Sequence, residues 1–171
     1  MGFRVGVDEN GLGPQLGPLI VTGVLAEVTE AGDKLVGRRT RGRLAKLVGD
    51  SKGLVAHGDV SLGEAWARVL AARGCLAATD RHASATGAAA AAEGVPIDVD
   101  AIVHGLSLDP ASELRRPCPA RAQAMCWSTE GESFTAPADE LAAVDGQLTQ
   151  LARRGVRIAG VRSVIVCTRR L

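Results

Sequence analysis

Ten consecutive residues, Leu19 to Val28, constrain the fold more than any other stretch of the chain. They are mostly apolar, with β-branched side chains at Ile20, Val21, Thr22, Val24 and Val28. Such side chains suit a pleated surface better than a helix. The apolar run, Pro18 to Ala26, falls well short of the ~20 residues that a membrane-spanning helix needs. Leu19–Val28 therefore reads as a strand buried on both faces. Ahead of it, Phe3-Arg4-Val5-Gly6-Val7-Asp8 alternates apolar and polar residues, the period of a second strand. Gly11, Gly13, Pro14, Gly17 and Pro18 mark a turn-rich loop between the two. The two strands are predicted to pair as an antiparallel hairpin across that long loop.

Further along, Asp33 to Val48 reads as a short helix ending near Gly49. Ser61-Leu62-Gly63-Glu64 fits a capping box, with Ser61 as cap and Glu64 reaching back. The helix it opens should run to about Arg73 and stop at Gly74, with Leu62, Trp66, Val69 and Leu70 on one face. Ala83 to Ala92 is an alanine-rich low-complexity stretch. Val95 to Val103 alternates again and reads as a strand, with Asp98 and Asp100 on its polar side. Residues 110–137 hold four prolines and read as an irregular excursion, with Cys118, Cys126 and Trp127 inside it. Ala138 to Arg154 carries Leu141, Val144, Leu148 and Leu151 on one stripe, the pattern of an amphipathic helix. Asp139 near its start and Gly155 just past its end suit that helix. Asp145 falls on its solvent side. Val156 to Cys167 reads as a final strand. The chain then stops at Leu171 without a polar tail, as a shortened version of a longer domain would. The whole is expected to form a single α/β domain, residues 1–171, incomplete at its C-terminus.

Composition narrows the class. Only 2% of residues are aromatic and none is Tyr, so the core must be built from small and branched aliphatics. A formal net charge of +1 excludes a strongly basic footprint over the whole chain. Local basic clusters, Arg38 to Lys46, Arg153 to Arg157 and Arg169-Arg170, read first as solvated helix faces and ends. Cys75, Cys118, Cys126 and Cys167 are scattered with no C-x-x-C pair. His57, His82 and His104 are dispersed, so tightly spaced structural zinc ligands are not visible. Arg4, Asp8 and Glu9 near the start do not read as a signal peptide. These features predict a cytoplasmic protein with reduced thiols and no membrane association.

The motif richest in chemistry is Asp8-Glu9-Asn10-Gly11-Leu12-Gly13-Pro14, followed by Gly17-Pro18. Two carboxylates stand where a strand meets a glycine-rich loop. Hard divalent cations take oxygen ligands, and such a pedestal would suit Mg²⁺ or Mn²⁺. Adjacent strand residues point to opposite faces. A bulge, or the end of the strand, is therefore needed to bring Asp8 and Glu9 to one cation. The glycines behind them permit close approach by a nucleic-acid backbone.

This constellation resembles the opening of the ribonuclease HII (type 2 ribonuclease H) family. There a strand ends in Asp-Glu-x-Gly-Arg-Gly-Pro, a Gly-Pro and an apolar strand follow, and Asp-Ser-Lys comes later. Here the counterparts are Asp8 to Pro14, Gly17-Pro18, Leu19–Val28 and Asp50-Ser51-Lys52, in the same order and spacing, over roughly the first third of the chain. The resemblance implies a ribonuclease H-like α/β fold, a mixed sheet flanked by helices. It implies metal-dependent endonucleolytic cleavage of the RNA strand of RNA–DNA hybrids. Asp8 and Glu9 would be metal-binding catalytic carboxylates, with Asp98 or Asp100 as a third. Asn10, Gly11, Leu12 and Gly13 would line the substrate, the glycines through backbone contacts to 2′-hydroxyls. Ser51 and Lys52 would meet phosphate.

The sequence also departs from the family. Leu12 replaces the basic residue of the Gly-Arg-Gly motif, the later Lys and Arg-Asp helix is not visible, and a stacking Tyr is lacking. A second reading therefore stands beside the first: a catalytically degenerate ribonuclease H-like domain that binds nucleic acid or a protein. The intact Asp8-Glu9 pair favours the enzyme.

Overall fold

A computed structural model of the chain describes residues 1–9, 19–42, 44–49, 59–76, 97–108 and 133–166. These form a mixed α/β arrangement. Strand β1 (Gly2–Glu9) pairs antiparallel with β2 (Leu19–Val28), and β2 pairs antiparallel with β5 (Val156–Val166). The sheet order is β1-β2-β5, so β2 is central and β1 lies at an edge. The remaining elements are α1 (Glu30–Val36), α2 (Ser61–Ala72), β3 (Ile97–Asp98), α3 (Val99–Leu106), β4 (Ser133–Phe134) and α4 (Ala138–Arg153). A short 3₁₀ turn spans Leu44–Lys46, and β3 pairs with β4 as a separate two-stranded ladder.

The expected hairpin of β1 and β2 is present, and α2, α4 and β5 form within a residue or two of their predicted limits. In α2 and α4 the periodic apolar positions decide the packing. Ala65, Val69, Leu141, Val144 and Leu148 are buried together with Ala136, and Leu62, Trp66, Leu70 and Ile158 pack around them. A second cluster, Ala26, Val28 and Val156, joins the sheet to Leu35 and Leu151, and Ile158 touches both clusters. The core therefore lies between α2, α4 and one face of the sheet, and it is built from aliphatic residues as the composition demands.

A bulge keeps β5 in phase with this core. Leu25 faces Gly160 whereas Ala26 faces Ile158, which inserts Ala159 as an extra residue. Val156 and Ile158 before the bulge, and Val161 and Ser163 after it, thereby share the inner face. Without the bulge Arg162 and Val164 would turn inward.

Four expectations need correction. The stretch Asp33–Val48 is not one helix: α1 starts at Glu30, where Thr29 Oγ1 accepts from Gly32 N at 3.1 Å, and ends at Val36. Beyond Val36, Gly37, Arg38 and Arg39 offer no apolar stripe to bury. The capping box is not made, because Ser61 is already helical and Val60 precedes it as the cap. Other partners, one local and two distant in sequence, take both side chains instead. Ser61 Oγ lies 2.9 Å from Asp59 Oδ1 and 3.0 Å from Glu140 Oε1, and Glu64 Oε2 accepts from Thr135 N at 2.9 Å.

The predicted strand Val95–Val103 holds only at Ile97–Asp98 and then becomes α3. Val99, Ile102, Val103 and Leu106 fall at i, i+3, i+4 and i+7, so the helical period overrides the short alternation. Asp100 thus stands on a helix rather than a strand. Finally, β2 is not buried on both faces. Only Ala26 and Val28 are buried, and Leu25 on the opposite face is exposed. The alanine-rich stretch and nearly all of the excursion at 110–137 lie outside the described residues. Among the described residues, no helix is long and apolar enough to cross a membrane.

Candidate functional site

The hairpin carries Asp8 and Glu9 at the last two positions of β1, where the chain leaves the sheet for the glycine-rich loop. The β1–β2 register runs without interruption from Gly2↔Val28 to Glu9↔Val21. With no bulge in this ladder, Asp8 and Glu9 take opposite faces of the sheet. Both side chains are exposed, and Asp8 Oδ1 accepts from the Glu9 backbone N–H at 2.9 Å.

Asp8 lies on the helix-facing side, level with Thr22 on β2 and Ser163 on β5. Thr22 Oγ1 and Ser163 Oγ are 2.9 Å apart and hydrogen-bonded, with either as donor. Ser163 is buried, and Ser107 at the end of α3 meets it through an isolated parallel bridge. Leu108 N donates to Ser163 O at 2.9 Å. The result is a row of polar groups, Asp8, Thr22, Ser163 and Ser107, running across the helix-facing side of the sheet, whose buried residues Ala26, Val28, Val156 and Val161 are aliphatic. A buried hydroxyl without a partner is costly, and the Thr22–Ser163 bond removes that cost.

Glu9 stands on the other face, level with Val21 and Val164. That face also carries Phe3, Val5 and Val7, each about two-thirds exposed at 68%, 66% and 66%. The two carboxylates thus sit in different surroundings, one beside hydroxyls and one beside open apolar surface.

Asn10, Gly11, Leu12, Gly13, Ser51 and Lys52 lie outside the described residues, as does Asp50. Asp98 and Asp100 are described in backbone only, at β3 and at the start of α3. Among the described residues, no group of three His, Cys, Asp or Glu side chains is placed to hold a metal ion. The regular strand end does not fit a cation shared by Asp8 and Glu9, which would require Glu9 to turn out of the ladder. Asp8 by itself, exposed and at the loop mouth, fits as one oxygen ligand.

No protein-family model, curated protein or solved structure matches the chain.

Sequence reasoning overlooked Thr22, Ser163 and Ser107. A signal for the first two was present: each is a polar residue at a core-facing position of an apolar strand. Asp145, expected to face solvent, does so, and it pairs with Arg73 at 2.7 Å to bridge α4 and α2. Cys75 is buried, and its Sγ lies 3.6 Å from Ile158 O. Burial pushes its thiol up, with the charges of Arg73 and Arg157 opposing weakly. A protonated, enclosed thiol is a packing group rather than a nucleophile.

Proposed function

We propose that the chain is a ribonuclease H-like domain that cleaves the RNA strand of RNA–DNA hybrids in the presence of Mg²⁺ or Mn²⁺. The observation that supports this reading is the position of Asp8-Glu9 at the mouth of an antiparallel hairpin. The sequence motif asks for that arrangement: carboxylates at a strand end, a Gly-Pro loop, and a returning apolar strand. A bound divalent cation would supply Lewis-acid stabilisation of the scissile phosphate and its leaving oxygen. In this reading Asp8 is the carboxylate that holds such a cation, beside the Thr22 and Ser163 hydroxyls. The glycines of the loop let the hybrid's backbone approach, and Ser51 and Lys52 meet phosphate.

A second reading has a specific observation in its favour. The uninterrupted ladder keeps Glu9 away from Asp8, which suits a domain that holds nucleic acid without cutting it.

Incubating a labelled RNA–DNA hybrid with Mg²⁺ or Mn²⁺, alongside the Asp8→Asn variant, separates the two. The proposal expects RNA-strand cleavage by the natural chain and its loss in the variant. Hybrid binding without cleavage by either would establish the second reading. Neither binding nor cleavage would remove both.

A further inference from the structure

Among the described residues, strand β1 lies at the edge of its sheet. All eight residues, Gly2–Glu9, are exposed, and among the described residues only β2 pairs with it. Proteins ordinarily blunt such an edge with proline, lysine or a bulge. This strand holds no Pro and no Lys, its ladder with β2 has no irregularity, and its charges Arg4 and Asp8 admit another strand only where that strand opposes them with the opposite sign. Its free edge and its apolar residues Phe3, Val5 and Val7 leave room for another strand.

We infer that the occupant is β1 of a second copy of this chain, paired antiparallel about a two-fold axis at Gly6. Charge selects this arrangement. In an antiparallel ladder, hydrogen-bonded and non-hydrogen-bonded pairs alternate, so a two-fold axis normal to the sheet must pass through a residue pair. Centred on Val5, the register pairs Phe3 with Val7 and Val5 with its own copy, but it sets Arg4 against Gly6 and Asp8 against Gly2, so no ion meets one of opposite sign. Centred on Val7, it sets Val5 against Glu9 and Asp8 against Gly6.

Centred on Gly6, it sets Phe3 against Glu9, but it also sets Arg4, which keeps Asp33 of its own chain as a partner, against the second copy's Asp8, and Asp8 against the second copy's Arg4. Val5 then faces Val7, again twice. Directly opposed ions of opposite sign and paired β-branched residues are the contacts that stabilise a ladder. At the axis, a side chain on Gly6 would meet nothing within its own chain, so the two glycine backbones approach freely. The two three-stranded sheets become one continuous sheet across the dimer. The inference does not rest on the cleavage reading.

Sedimentation velocity across a micromolar concentration series, in EDTA so that no cation competes for Asp8, tests it. The natural chain should form a reversible dimer. Arg4→Asp and Asp8→Arg should each weaken self-association by roughly tenfold, because each replaces two opposite-charge contacts with two like-charge ones. An equimolar mixture of the two variants should restore dimers, since both cross-strand pairs are then again of opposite sign. Asp8→Arg leaves the Arg4–Asp33 pair of the same chain in place, so it alone is decisive if Arg4→Asp proves unfolded by circular dichroism. A natural chain that stays monomeric overturns the inference. So does a dimer indifferent to Asp8→Arg, or a mixture of folded variants that associates no better than its parts.

Discussion

Thr22 and Ser163, 141 residues apart in sequence, share a 2.9 Å hydroxyl–hydroxyl bond across β2 and β5, one strand away from Asp8. Ser163 is almost wholly buried, so this bond decides whether a polar group can sit on the inner face of the sheet. Ser163→Ala should lower stability by about 1 kcal/mol, leaving the Thr22 hydroxyl without its partner. Adding Thr22→Val should cost less than the sum of the two single changes. Urea midpoints of the two singles and the double variant check the non-additivity.

Gly32 and Gly155 lock the start of α1 against the end of α4. A Cβ on Gly32 would lie 2.0 Å from Gly155 O. A Cβ on Gly155, which sits at φ +84, would lie 2.0 Å from Thr29 Oγ1. Gly32→Ala forces backbone apart, whereas Gly155→Ala drives its Cβ into the Thr29 side chain at a left-handed backbone, and each is expected to cost ~2 kcal/mol or more. Thermal denaturation should show both variants markedly less stable than Gly146→Ala. Gly146 is exposed on α4, and a Cβ there meets nothing within 4 Å.

Arg73 ties α2 to α4 through three acceptors: Asp145 Oδ1 at 2.8 Å, Asp145 O at 2.8 Å and Thr149 Oγ1 at 2.6 Å. The site is partly open to solvent. Arg73→Ala is therefore expected to cost only about 0.5–1 kcal/mol. The loss should shrink at high salt, which a pair of denaturation curves at low and high ionic strength will reveal.

Arg4 and Asp33 form an exposed, doubly hydrogen-bonded ion pair that holds β1 to α1. Hydrogen bonding from Arg4, reinforced by its charge, keeps the Asp33 carboxyl below the usual carboxylate range. Because the folded value is depressed, the contribution to stability is complete above the ordinary carboxylate pKa. It is lost as pH falls through the folded value. In an NMR titration, Arg4→Met should raise the Asp33 midpoint. An unchanged midpoint would show that the pair does not persist in solution.

Cys75 should resist alkylation by iodoacetamide at neutral pH in the folded chain and react on unfolding. Its thiol is enclosed and pushed toward the protonated form. Mass spectrometry of the peptide that contains it reads the outcome, and rapid labelling of folded protein would contradict the burial.

Much of the fold was legible before any coordinates. The stripe of α4 and the face of α2 each repeat one period over enough residues to name an element, because burying one face rewards that period; Leu19–Val28 was legible from its β-branched content and Phe3–Asp8 from its alternation, although the apolar residues of the latter are exposed. The limits lay in short segments where two periods compete, as at Val95–Val103. They also lay where a side chain has both a local and a distant partner, as Ser61 and Glu64 do.

The same division runs through the site. Sequence by itself determined that Asp8 and Glu9 end a strand before a glycine-rich loop, and that this strand pairs with the apolar run behind it. Local period and turn chemistry carry that information. Tertiary structure alone decided that Asp8 shares a row with Thr22 and Ser163 while Glu9 faces away, and that β1 lies at the edge of the sheet that the described residues form. Those facts depend on which strands become neighbours and in what register, and register is set by burial across the sheet, between residues far apart in the chain.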